Sequence, residues 1–141
     1  PWVCGQDTLS DGSELYHTAE ADGECFMTQS LKRESDGRKC FKDDPGNCSA
    51  SGGLYVYNLT ICPTGWRLPS RDETTLLANL VRWSEESING YYDAKQEEYQ
   101  ENYKLLMLDE PEKVINFDNG EVVDIPFIGS FVSVRCIKTI N

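Results

Sequence analysis

The apolar positions of this chain fall mostly in short, alternating or branched runs separated by turn residues. Such a pattern predicts strands. Phe131-Val132-Ser133-Val134-Arg135-Cys136-Ile137 alternates, with Val132, Val134 and Cys136 on one face. Val114-Ile115-Asn116-Phe117 and Glu121-Val122-Val123-Asp124-Ile125 flank Asp118-Asn119-Gly120, a strong hairpin turn, and Pro126 ends the return strand. Gly52-Gly53-Leu54-Tyr55-Val56-Tyr57 predicts a further strand. Residues 1–31 read as short strands punctuated by Asp11-Gly12 and Asp22-Gly23, and Ser35-Asp36-Gly37 marks another turn.

Two stretches carry helical signals. Leu68-Pro69 holds the chain extended before Ser70, which can cap a helix with Glu73 in the reciprocal position. Leu76, Leu77, Leu80 and Val81 then form one apolar stripe, predicting a helix from about Ser70 to Trp83. Ser87-Ile88-Asn89-Gly90 breaks it. Asp93, with Gln96 three residues on, predicts the start of a second helix carrying Tyr92, Tyr99, Tyr103 and Leu106 on one stripe. Between the strands, residues 40–48 read as a tight loop, with Pro45-Gly46 suited to a type II turn.

The chain has 141 residues, which fits a single domain spanning 1–141. Its net charge of -11 disfavours nucleic acid and anionic membrane surfaces as partners. Neutral or cationic surfaces, sugars, other subunits and divalent cations fit it better. No apolar run reaches the length of a membrane span, so no membrane insertion is expected within this segment. The start at Pro1 reads as a mature or excised segment.

Six cysteines are dispersed as Cys4, Cys25, Cys40, Cys48, Cys62 and Cys136. No CxxC occurs, and the single His17 has no metal-ligand spacing to any of them, which argues against zinc. An even, scattered set reads as disulfides and an oxidising compartment. Six cysteines allow fifteen pairings. The favoured reading joins Cys40 to Cys48 across the tight loop and Cys62, at the entrance of the first helix, to Cys136 in the last strand. It brings Cys4 within reach of Cys25 beside the Asp22-Gly23 turn.

Four separated motifs then resemble one family. Cys4-Gly5, Asp11-Gly12 and Cys25-Phe26-Met27 are similar to the opening of the Fibrobacter succinogenes major paralogous domain family. Cys40-Phe41-Lys42-Asp43-Asp44-Pro45-Gly46-Asn47-Cys48 with Gly53-Leu54-Tyr55 resembles its second block. Cys62-Pro63-Thr64-Gly65-Trp66-Arg67-Leu68-Pro69-Ser70 resembles its most specific motif, and Ser133-Val134-Arg135-Cys136-Ile137-Lys138 its closing strand. The resemblance implies an α+β, C-type-lectin-like domain with two helices and a twisted antiparallel sheet, stapled by disulfides. It also implies a bacterial surface or secreted protein, attached to a pilus, adhesin or fibre. The chain departs from the family at Phe26 and Ser30, where Trp and Asn are usual. A Tyr/Glu-rich stretch at 91–112 also replaces the family's Gly- and Trp-rich segment.

The functional expectation is a non-catalytic extracellular adhesion module that recognises a glycan or a protein surface. Tyr91, Tyr92, Tyr99 and Tyr103 are its candidate contact residues. The alternative is a structural, pilin-like or fibre-forming subunit. Glu110-Pro111-Glu112 and Asn116-Phe117-Asp118 faintly resemble the ligand motifs of calcium-dependent lectins, so Glu110, Glu112, Asn116 and Asp118 are candidate Ca²⁺ ligands. No other cofactor is expected. Neither the lone His17 nor the adjacent Asp43 and Asp44 forms a catalytic constellation by spacing, so an enzyme is not expected. Asn58-Leu59-Thr60 matches the N-glycosylation sequon, a low-specificity signal.

Overall fold

The computed structural model describes residues 2–21, 23–34, 37–74, 90–101, 103–116, 120–125 and 129–140. Ten short strands in these residues form four small antiparallel sheets. β1 (Leu9–Asp11) pairs with β2 (Glu14–Tyr16) around Gly12, whose φ of 62° suits the turn. β3 (Thr18–Ala21) and β4 (Glu24–Met27) pair with each other, and β10 (Ile137–Thr139) adds to the far edge of β4. β5 (Tyr91–Asp93) pairs with β6 (Glu98–Gln100). β7 (Leu105–Met107), β8 (Lys113–Asn116) and β9 (Val122–Asp124) form the last sheet in that order.

The sheets are joined by the closing segment 131–137. Phe131 bridges Tyr92, Val132 bridges Tyr55, Ser133 bridges Leu106, and Ile137 bridges both Arg67 and Phe26. Leu31 and Met27 donate backbone N–H groups to the carbonyls of Val134 and Cys136. Residues 132–137 are accordingly all buried. Side chains from the whole chain, Tyr16, Leu31, Tyr55, Leu68, Leu105 and Val134 among them, meet in the main apolar cluster. Phe26, Leu106, Leu108, Ile115 and Ile137 form a second.

Three disulfides tie these pieces together. Cys4–Cys25, Cys40–Cys48 and Cys62–Cys136 have Cα separations of 5.9, 5.1 and 6.0 Å. They are the pairs favoured from the sequence. Three disulfides are consistent with an oxidising, extracellular or secreted setting. Among the described residues no helix is long and apolar enough to cross a membrane.

Among the described residues helical structure is scarce, and this overturns the expectation of an α+β, C-type-lectin-like domain with two helices: the described fold is largely β. α1 (Pro45–Ser51) stands where a type II turn was expected. Asp44 caps it by accepting the Gly46 N–H at 2.9 Å, and Pro45 fills the first helical position, where its missing N–H costs nothing. Residues 71–74 are helical, and the capping box at their start is complete. The Glu73 N–H donates to Ser70 Oγ at 3.2 Å and the Ser70 N–H to Glu73 Oε1 at 2.9 Å. The stripe Leu76, Leu77, Leu80 and Val81 lies outside the described residues.

The second predicted helix is a hairpin instead. Asp93 Oδ1 does accept the N–H groups of Lys95 and Gln96, at 2.9 and 3.1 Å. The chain then turns back through Glu97, at a φ of 55°, into β6. An Asp side chain bonded to backbone two and three residues on serves a turn as well as a helix cap. Tyr92 and Tyr99 decide between the two by pairing across the strands, an arrangement aromatic side chains favour.

Candidate functional site

The β5–β6 hairpin, the loop closed by Cys40–Cys48 and Phe131 together carry an aromatic ledge. Phe41 lies in the 3-10 turn Phe41–Asp43 inside the disulfide loop. Its ring meets that of Tyr99 edge-on, with centroids 5.4 Å apart. Tyr99 meets Tyr92 at 5.0 Å, and Tyr92 meets Phe131 at 5.8 Å. All three contacts have the tilted geometry that sets a positive ring edge against a negative ring face.

Polar groups fix the ledge at both ends. Tyr99 donates its phenol hydrogen to Asp43 Oδ1 at 2.7 Å. Burial, with that carboxylate alongside, pushes the Tyr99 phenol up to about 12. Lys42 pairs with Glu101, joining the disulfide loop to the end of the hairpin. The Lys39 ammonium lies 4.5 Å from the Tyr92 ring centroid and 5.2 Å from that of Phe131. Lys39 itself is anchored by backbone hydrogen bonds in both directions with Leu54.

Both loops that build the ledge hold residues in the left-handed region. Lys42 (φ 57°), Asp43 (φ 58°) and Glu97 (φ 55°) are three of the four non-glycine residues with positive φ among those described. Each such conformation costs on the order of 1 kcal/mol and persists only where surrounding structure enforces it. The Cys40–Cys48 bond and the Asp93 turn supply that enforcement here. Gly90, at the base of the hairpin, meets a different demand: a Cβ there would stand 1.7 Å from the Gln100 carbonyl oxygen. Next to the ledge, Phe131 also lines a groove of about 450 Å³ with Tyr55, Val56, Tyr57 and Ile61.

The structure divides the four candidate tyrosines. Tyr92 and Tyr99 sit together on the ledge, both half-buried. Tyr91 points the other way into the core and is 4% exposed, as alternation along a strand requires. Tyr103 lies between β6 and β7 and is 55% exposed. Lys39, Phe41 and Phe131 join the ledge without having been singled out from the sequence. Only the proximity of Phe41 to Cys40 hinted at its role, because a short disulfide loop presents its side chains in a fixed direction.

The three candidate calcium ligands that lie in the described residues, Glu110, Glu112 and Asn116, are spread along the chain. Glu110 and Glu112 are exposed on the turn before β8, and Glu110 pairs with Arg71 at 3.5 Å. Asn116 ends β8, about 10 Å of strand further on. Asp118 lies outside the described residues. Among the described residues no group of three or more His, Cys, Asp or Glu side chains could hold a metal ion. His17 is exposed between β2 and β3, and Asp43 and Asp44 serve the Tyr99 hydroxyl and the α1 cap respectively. In the sequon, the Thr60 N–H and hydroxyl both donate to Asn58 Oδ1, at 3.0 and 2.9 Å.

Comparison with family models, with curated proteins and with solved structures returns no match to this chain. The ledge is therefore read from its own chemistry. It offers ring faces and edges, a cation seated on two of the rings, and carboxylates at its margin.

Proposed function

We propose that this chain is a non-catalytic extracellular binding module whose contacts centre on Tyr92 and Tyr99. The supporting observation is the ledge itself: four aromatic rings in series, held by a disulfide loop on one side and a hairpin on the other. Rings fixed in this way lose little freedom on binding, so more of the contact energy appears as affinity. The six cysteines are all in disulfides and leave no free thiol for covalent chemistry. Together with the motif resemblance, this favours a module displayed on a cell surface, pilus or fibre and recognising a glycan or a protein surface.

The test is a glycan array together with a pull-down from target-cell envelopes, using the intact, oxidised protein and Tyr99→Ala. Capture that falls at least about tenfold in the variant supports the reading. Capture unchanged by the substitution, or none above background from correctly folded protein, overturns it.

A further inference from the structure

The ledge is aromatic at its centre and acidic around it. The two loops that carry it expose Asp43, Asp44, Glu97, Glu98 and Glu101, against Lys42 and Lys95 as the exposed cations of the same loops among the described residues. Lys42 is already paired with Glu101. An anionic ligand approaching these rings meets a field of its own sign, whereas a cationic one is drawn in. The rings also hold an ammonium group already. The chain's own Lys39 occupies the faces of Tyr92 and Phe131 at distances typical of cation–π contact.

Resting on the reading of the ledge as a binding surface, we propose that its partner is a basic protein surface whose lysine or arginine side chains dock on the Tyr92–Phe131 rings. In the free protein Lys39 stands in for the partner's cation. On binding, the incoming side chain displaces it, and the carboxylates of the two loops attract the newcomer from around the ledge. The overall charge of -11 acts in the same direction at longer range and speeds encounter at low salt.

Two variants push binding in opposite directions, which a merely structural role for these residues would not produce. Lys39→Ala frees the rings and strengthens binding of an arginine- and lysine-rich peptide several-fold. The double variant Glu97→Lys/Glu98→Lys weakens it at least about tenfold, and raising salt from about 0.05 to about 0.3 M weakens the unaltered protein similarly. Both sets of positions are half-buried or exposed, so melting temperature checks that the fold is retained. The measurements are titrations of the intact, oxidised protein with that peptide, its glutamate-substituted counterpart and a panel of neutral oligosaccharides. Equal binding of the basic peptide by the charge-reversed variant overturns the inference. Neutral oligosaccharides binding alone, with loss in Tyr99→Ala, overturns it too but leaves the ledge as a binding site. No binding to any probe, unaffected by Tyr99→Ala, removes both.

Discussion

Arg67 grips Glu73 with two parallel hydrogen bonds, Nη1 to Oε1 at 2.7 Å and Nη2 to Oε2 at 2.6 Å. The same guanidinium reaches Thr139 Oγ1 at 2.8 Å and Glu24 at 3.4 Å. One side chain of the Cys62–Ser70 motif thereby holds the helical turn at 71–74 against β10 and β4.

This clasp predicts acid sensitivity. The Arg67 hydrogen bond is the main influence that lowers Glu73 from 4.5 to about 2, with the Ser70 bonds adding to it against the cost of burial. A carboxylate with a lowered folded value contributes stability that is complete above 4.5 and is lost as pH falls towards 2. Thermal melts taken across that window should show the unaltered protein losing more than Glu73→Gln. Above the window the variant should be the less stable by about 1 kcal/mol, because Arg67 is partly solvated. Parallel pH profiles for the two proteins would contradict this.

Gly90→Ala should cost at least about 2 kcal/mol in chemical denaturation. The added methyl would meet backbone, the Gln100 carbonyl, which cannot swing aside as a flexible side chain could. The strand pair would have to part, so peptide or glycan binding should fall along with stability.

Tyr99→Phe and Tyr99→Ala separate the hydroxyl from the ring. The first removes only the hydrogen bond to Asp43, and should cost about 1 kcal/mol or less in stability. The second also deletes the contacts with Phe41 and Tyr92, and should cost about 1–3 kcal/mol. If binding depends on the ring, Tyr99→Phe retains most of it and Tyr99→Ala does not.

The disulfides should differ in weight. Cys62–Cys136 spans 74 residues and Cys40–Cys48 spans 8. By chain-entropy reasoning their removal costs about 4–5 and about 2–3 kcal/mol respectively. Paired serine variants measured by denaturant titration should preserve that order. Loss of the shorter bond should nonetheless do more to binding, since it frees Phe41 and Asp43.

Some of this was legible in the residues. Ser70 and Glu73 announced their capping box because both partners lie within one local motif. Asn119-Gly120 announced the β8–β9 connection, where the Gly120 N–H bonds the Asn116 carbonyl at 2.8 Å and Gly120 has a φ of 75°. The hairpin at 91–100 was not legible for a geometric reason. Positions seven apart, such as Tyr92 and Tyr99, share a helix face after two turns, but also face each other across a hairpin closed by four residues. Composition cannot separate the two, and the bridge to Phe131, 39 residues further along, is what pins the extended form. Pro45-Gly46 suits a type II turn by sequence, yet Pro45 is the first helical position behind the Asp44 cap, since both uses need the same φ at proline. The ledge itself draws on three separated segments, so no single window of sequence contains it.

The position of residues 131–137 at the junction of the sheets bears on how the protein comes to exist. During synthesis nearly every partner of that segment emerges from the ribosome first, and Cys62 must wait with its thiol exposed for a mate made 74 residues later. A nascent chain of this kind is open to mispairing until residues 131–137 arrive. A chain cut short before Cys136 would therefore be an unfinished assembly of hairpins, more dependent on chaperones and thiol-exchange catalysts than its size would imply.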